Sequence, residues 1–268
     1  MRTAIVFLAN KPHENTIDFA IEVKRQTNFD TFVVIDDNTQ YHGKSFKEVN
    51  LIQIPDKLCE ESGYSHSVFI ENATQVTKNP IAWDKFLYSF CELDNKNYDF
   101  IMVFEDDVFI QSIQSIVDFH EKYNKFDLIT ANNFRKKDNL LDWHWRSIMG
   151  WAYAPYYYSM VSAMALSRNT LNLIKEHAKL NGRLFFHEAM FNTLAMHEQL
   201  KVTDALELTS IVWQGKWELD EFLLLPNNFF HPRKDIENHP KLREQISKAI
   251  KDVYVPKDNL PQFIKDKF

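Results

Sequence analysis

The chain has 268 residues, 45% hydrophobic and 25% charged, which suits one large domain with a sizeable core better than two full ones. Its 5 glycines exclude collagen-like and glycine-linker architectures and argue against a glycine-rich phosphate loop. The 31 Lys and Arg against 37 Asp and Glu leave a formal charge of −6, so there is no global positive field for nucleic acid; an anionic ligand must be met by a local basic cluster or by a metal ion.

TAIVFLA (3–9) is a continuous apolar run, the pattern of a strand buried on both faces. It is too short to span a membrane and lacks a signal-peptidase site, so a soluble, cytoplasmic protein with no transmembrane segment is expected. Cys59 and Cys91 match no zinc or redox spacing, in keeping with a reducing compartment. Helical spacing follows over 16–26. TFVVI (31–35) reads as the next strand and stops at Asp36-Asp37-Asn38, and LIQI (51–54) as a third, cut by Pro55. Pro80 precedes a helix in which Ile81, Phe86, Leu87 and Phe90 are expected to face the core, with Trp83 and Lys85 pointing elsewhere. YDFIMVF (98–104) is the strongest strand signal and runs directly into Glu105-Asp106-Asp107. A helix over 112–123 and a strand at 126–130 complete this half.

The β-α-β-β-α-β-α-β order predicts an α/β fold: one Rossmann-like domain whose central mixed, mostly parallel sheet is flanked by helices on both faces. Ligands of such sheets collect at the carboxyl ends of the strands, and three of those ends are polar here: Asn10-Lys11, Asp36-Asp37 and Glu105 to Asp107. The second half is less regular. Residues 131–160 crowd Trp143, Trp145, Trp151, Tyr153 and Tyr156 to Tyr158 into a stretch without clear period, one or two of them candidate sugar contacts. Arg135-Lys136-Lys137 reads as a solvated basic loop. A strand is expected at 160–166, helices from 167 to about 179 and from Phe186, and an amphipathic helix over 241–253 with Leu242, Ile246, Ala249, Ile250 and Val253 on one face.

FEDDVFI (104–110) pins three carboxylates to a strand end. Like charges at close range raise one another's pKa, and a hard divalent ion such as Mn²⁺ or Mg²⁺ relieves the conflict while leaving positions for phosphate oxygens. A solvated acidic turn is the competing reading. A buried strand ending in a D-x-D-like triplet about a hundred residues into a β/α chain resembles the nucleotide-sugar glycosyltransferases of the GT-A fold, from Ala4 to about Asp235. That resemblance implies Asp107 as metal ligand, Glu105 (where the family has Asp) as ribose or outer partner, and Asp106 between them. It implies His231, in FFHPRKD (229–235), as a further metal ligand, with Arg233 and Lys234 on the diphosphate. It also implies nucleoside contacts from Asp36 and Asp37, although an acidic turn accounts for the aspartates nearly as well; Ala9 and Asn10, after the first strand, are base-contact candidates by position alone.

Lys85 is placed either at that nucleotide site or on an exposed helix face. Glu188, at the start of FFHEAMFNTLAMH, is the candidate general base if the transfer inverts; a retaining enzyme would not need it, and the helix dipole alone favours an acid there. The expectation is a catalytic domain over 1–235, with a nucleotide-sugar half (1–130) and an acceptor half (131–235), and a helical extension over 236–268. The implied partners are a UDP- or GDP-sugar donor and a glycan or glycoconjugate acceptor. Two other functions stay open: a sugar-1-phosphate nucleotidyltransferase, disfavoured because FLANKPHEN has no glycine, and a carbohydrate-binding protein without turnover.

Overall fold

The computed structural model describes residues 1–11, 13–37, 49–70, 74–77, 79–135, 148 and 152–252, and its first strand already sets out the layers. In β1 (Thr3–Ala9) every residue is buried. Ala4, Val6 and Leu8 enter one hydrophobic cluster and Ile5 and Phe7 another, because successive side chains of a strand point to opposite faces. In β6 (Phe100–Glu105), Ile101 and Val103 join the first cluster and Phe100, Met102 and Phe104 the second.

These strands are central in a seven-stranded sheet. Its other members are β2 (Asp30–Ile35), β3 (Asn50–Gln53), β8 (Leu128–Thr130), β11 (Ala163–Ser167) and β13 (Val202–Asp204), in the order β13-β8-β11-β6-β1-β2-β3. All neighbours are parallel except the two pairings of β11, which runs against β6 and β8. Helices α1 (Glu14–Gln26) and α4 (Ile113–Tyr123) cover one face through Ile17, Ala20, Val23, Ile116 and Phe119. Helices α3 (Ala82–Tyr88), α5 (Arg168–Asn181) and α6 (His187–His197) cover the other. The α/β class and the mostly parallel sheet thus stand as expected. Among the described residues, no helix is long and apolar enough to cross a membrane.

Local chemistry sets the helix ends. Ser112 and Ser167 accept backbone N–H groups at the starts of α4 and α5, and Gly182, at φ +67°, ends α5 in the left-handed conformation that glycine adopts without strain. Elsewhere the sequence misleads. Trp83 and Lys85 do not point away from the core: they are 4% and 0% exposed, because the short α3, which passes into a π-turn over 89–93, is enclosed all round. The expected strand at 160–166 begins only at Ala163 and is the one inverted strand of the main sheet.

Three short pieces escape periodicity altogether. Strand β4 (His66–Ile70) lies between β5 (Thr74–Thr77) and β12 (Leu184–Phe185), with Leu184 paired to His66, so His66 sits beside the start of α6. Two-residue strands β7 (Phe109–Ile110) and β14 (Phe229–Phe230) pair antiparallel. Phe109 and Phe230 form a third cluster with Phe222 of α7 (Leu219–Leu224) and with Leu242 and Ile246 of α8 (His239–Asp252). That cluster is the expected amphipathic contact of the tail, except that Ile250 is 52% exposed. Val253, Trp143, Trp145, Trp151, Lys136 and Lys137 lie outside the described residues.

Candidate functional site

From β1 the chain winds outward to β2 and β3, then returns to β6 on the other side of β1. The carboxyl ends of β1 and β6 therefore flank the switch point of the sheet, where ligands of open α/β sheets bind. Register fixes what stands there. Leu8 pairs with Glu105, Asp106 N–H donates to the Leu8 carbonyl at 2.8 Å, and Glu105 N–H donates to the Ser162 carbonyl at 2.8 Å. The acidic triplet is held in place: Glu105 ends β6, and Asp106 and Asp107 form a tight turn closed by Val108 N–H on the Glu105 carbonyl at 3.0 Å. Burial, reinforced by Asp107 and Glu105, pushes the Asp106 carboxyl up to about 7. Asp107 is raised by burial and by Glu105, against the pull of His231 and Lys234.

His231 follows β14 directly, and the β7–β14 pairing carries it back over the triplet. A second tie runs from Arg233 N–H to the Asp107 carbonyl, 2.8 Å. His231 is buried, and its Nδ1–H donates to the Val212 carbonyl at 2.8 Å. That bond fixes the tautomer and leaves the Nε2 lone pair facing Asp107 Oδ1 at 3.4 Å and Glu105 Oε2 at 3.8 Å. The three ligand atoms lie within 4.8 Å of one another. Two carboxylates and an oriented imidazole are a donor set for a divalent ion with hard or borderline preferences, so these residues fit Mn²⁺ or Mg²⁺. Glu105, read from the sequence as a ribose or outer partner, stands among the potential ligands.

Basic residues border the cluster. A cleft of about 430 Å³ is lined by 215–218 on one side and 232–235 on the other, placing Lys216 opposite Lys234. Both lysines are exposed, and Lys216 gave no motif in the sequence. Arg233 lines the same cleft, but its guanidinium is engaged by Asp235, at 2.6 and 2.9 Å, and by the Trp217 carbonyl. It braces the loop, and the fork expected on a diphosphate is partly engaged within the protein.

At the ends of β1 and β2, Asp36 and Asp37 donate their N–H groups to the carbonyls of Ala9 and Asn10, at 2.9 and 2.8 Å. The ends of β1 and β2 therefore form one edge. Ala9 is buried, Asn10 is exposed, and Asp36 is half-buried with its carboxyl raised by burial despite Lys85. Lys85 has its Nζ 2.8 Å from Asp56 Oδ1 and 4.0 Å from Asp36 Oδ1, with a short hydrogen bond to the Asp36 carbonyl. The exposed helix face is ruled out: Lys85 is buried behind the carboxylates of this edge, reached from inside the protein.

Glu188, the second residue of α6, is half-buried; burial and the charge of Glu105 push its carboxyl up to about 7. Its carbonyl accepts from Ser159 N–H at 2.8 Å, tying it to the segment that carries Tyr156 to Tyr158. Those tyrosines are half-buried, whereas Tyr153 is 69% exposed and stacks on His197, with ring centres 4.2 Å apart. Arg135, in the short strand β9 (Phe134–Arg135), is exposed and pairs with Tyr157 of β10 (Tyr157–Tyr158).

Sequence reasoning missed a second, fully buried cluster. Asp84 accepts from His66 Nδ1–H at 2.8 Å, from His187 Nε2–H at 3.1 Å and from Ile81 N–H at 2.9 Å. The neighbouring Trp83 donates Nε1–H to Glu105 Oε1 at 2.8 Å. The one available signal was an aspartate and a lysine embedded in the apolar run IAWDKFLYSF.

No protein-family model matches the sequence, and no curated protein matches it. Several solved structures share the fold loosely. One, described as a nucleotide-diphospho-sugar transferase of Desulfovibrio desulfuricans G20, is 7% identical, with a TM-score of 0.38 over 92% of this chain and 99% of that one. A 4-diphosphocytidyl-2C-methyl-D-erythritol synthase of Anaerococcus prevotii DSM 20548 is 11% identical, with a TM-score of 0.42 over 92% and 96%. Mouse xyloside xylosyltransferase 1 is 8% identical, with a TM-score of 0.38 over 76% and 84%. Likenesses at this level leave the chemistry of the chain to its own residues.

Proposed function

We propose that the protein is a metal-dependent glycosyltransferase that moves a sugar from a nucleoside diphosphate to a hydroxyl of a glycan or glycoconjugate. One observation carries this reading: at the switch point, His231, fixed through Nδ1 on the Val212 carbonyl, turns Nε2 toward Asp107 and Glu105, 3.4 and 3.8 Å away. Two carboxylates and an imidazole nitrogen converging in this way favour a cation among the three. Asp107, His231 and Glu105 would hold Mn²⁺ or Mg²⁺. A bound ion of this kind supplies Lewis-acid neutralisation of the charge that grows on a departing diphosphate.

The chain's own residues divide the remaining work. Lys216 and Lys234 offer mobile positive charge at the lip of the cleft. Asp36, backed by Lys85, presents an acceptor for a ribose hydroxyl or a base N–H. Glu188 takes the proton of the attacking hydroxyl, the role of a general base in an inverting transfer. A carboxyl with its pKa near 7 suits that task, because it is basic enough to accept the proton and still substantially ionised at neutral pH. The test is a thermal-shift panel of UDP- and GDP-sugars with and without Mn²⁺, followed by transfer assays on glycan acceptors. Wild-type protein is expected to be stabilised by a matching donor only in the presence of metal, beyond what the metal alone gives, and Asp107→Ala to gain nothing from either. A wild-type protein that no nucleotide sugar stabilises in Mn²⁺ overturns the reading.

A further inference from the structure

We propose that the first turn of α3 is a positioning device for both halves of the site: Trp83 holds the metal-side carboxylate Glu105, while Asp84, through His187, holds Glu188. This deepens the reading above and rests on it.

Trp83 and Asp84 are consecutive and buried, at 4% and 0% exposure. Their side chains leave the helix about 100° apart. One reaches the end of β6 and the other the start of α6. An indole N–H is a donor only, so Trp83, 2.8 Å from Oε1, selects one rotation of the Glu105 carboxylate. That rotation leaves Oε2 as the oxygen facing His231.

On the other arm, α6 begins at His187 after Phe186, a residue whose side chain makes no capping bond. The start of the helix is fixed instead by the imidazole of His187, held at 3.1 Å by Asp84. Glu188 is the next residue, so turning the His187 side chain inward sets the direction of Glu188. Asp84 is suited to the role. Burial works against its charge, but His187 and His66 outweigh burial and hold its carboxyl down at about 2, leaving a fixed anion with three N–H donors. The two arms touch as well: the rings of Trp83 and His187 have centres 6.1 Å apart.

His66, Asp84 and His187 could in principle ligate a metal themselves. Separations of 2.8 and 3.1 Å are hydrogen-bond lengths, and Ile81 N–H already occupies Asp84 Oδ2, so shared protons account for the triad. With nearly no exposed surface, Asp84 and His187 touch no substrate and are positioning residues.

The experiment uses the full chain, with Mn²⁺ affinity measured by calorimetric titration and, separately, kcat and donor KM. Trp83→Phe keeps a ring in place but removes the donor, and is expected to weaken Mn²⁺ binding about tenfold or more. His187→Met removes the N–H at similar volume; it should leave Mn²⁺ affinity and donor KM unchanged and lower kcat about tenfold or more. His187→Gln sets an amide N–H where Nε2 stands and should recover most of that loss. Should His187→Met not fold, Asp84→Asn carries the same kcat-against-KM readout. Wild-type Mn²⁺ affinity in Trp83→Phe, or equal impairment of the Met and Gln variants at His187, overturns the positioning role. A wild-type protein that binds no Mn²⁺ overturns the functional reading instead, and that failure is visible before any variant is compared.

Discussion

Replacing Asp107 by Asn should stabilise the metal-free protein and destabilise it relative to wild type once Mn²⁺ is present. Glu105 and Asp107 bring ligand oxygens within 4.8 Å of each other. Two unit charges at about that distance, in an effective permittivity of about 20, repel by about 3.5 kcal/mol. The side chains are 31% and 20% exposed, and solvent screening reduces the repulsion to about 1–2 kcal/mol. For a chain of this size that corresponds to a Tm higher by about 2–8 °C in the variant. The assay is a thermal melt in EDTA at about pH 8, with Mn²⁺ added in the second arm. In Mn²⁺ at a hundred times its Kd, the wild type gains about 2.7 kcal/mol, while the variant, missing a ligand, gains little, so the order of the two melts reverses. A variant no more stable than wild type in EDTA refutes the crowding argument. Equal stabilisation of both proteins by Mn²⁺ removes Asp107 from the metal.

Glu188→Gln is expected to lower kcat about 10²–10⁴-fold with Mn²⁺ affinity unchanged, as read from single-variant kinetics and titration. In the wild type, activity should rise with pH around a midpoint near 7, because burial and Glu105 keep Glu188 protonated below that value. Its folded pKa is raised from 4.5, so the ionised carboxylate costs stability that is lost progressively as pH climbs from about 4.5 through 7. The Gln variant should accordingly be the more stable of the two at pH 8 and indistinguishable from wild type at pH 4, in melts taken across that range. Lys85→Met leaves Asp56 and the Asp36 edge without their buried cation and should cost about 2–3 kcal/mol in urea unfolding, less than a fully buried pair because both aspartates are about a third exposed. Gly63→Ala places a Cβ 2.8 Å from the Ala178 carbonyl at φ +81°, so it should lose more stability than Gly182→Ala, where φ is +67° and nothing lies within 4 Å.

How legible the site was depended on whether a residue acts through its own element or through a neighbour brought in by the fold. Glu105 and Asp107 could be read because YDFIMVF is a strand by composition alone, and the acids follow where such a strand must end. His231 could be read only by resemblance, since its place over the triplet depends on two-residue strands that no periodicity announces. Lys216 and Lys234 line one cleft from separate loops, and the engagement of Arg233 by Asp235 is a contact two residues away that a motif reading overlooks. Trp83 and Lys85 were misplaced, and Asp84 was missed, for a definite reason. Helical spacing assumes one wet face, and α3 has none: β4, α6 and the ends of β2 and β6 surround it, so each polar group finds a partner inside the protein. Apolar periodicity has no means of registering a helix whose polar residues are buried and paired.

The charges of this site also set an order of binding. Three carboxylates end β6, with Asp36, Asp37 and Glu188 on nearby elements. Among the described residues, the basic groups lining the adjacent cleft are exposed Lys216 and Lys234 and an Arg233 already engaged by Asp235, while Lys85 lies behind the edge with its ammonium on Asp56 and Asp36. A nucleoside diphosphate approaching the metal-free edge meets net repulsion that two screened lysines offset only partly. A bound divalent ion would cancel most of the charge at the triplet and offer coordination positions to phosphate oxygens. Donor affinity should therefore be negligible in EDTA and steep in Mn²⁺ concentration, and raising salt should not weaken the metal-free interaction, because it screens a net repulsion. Titration calorimetry of a UDP-sugar at several fixed Mn²⁺ concentrations measures this directly, and donor binding of equal strength with and without the ion would show that the carboxylates are not where the diphosphate lies.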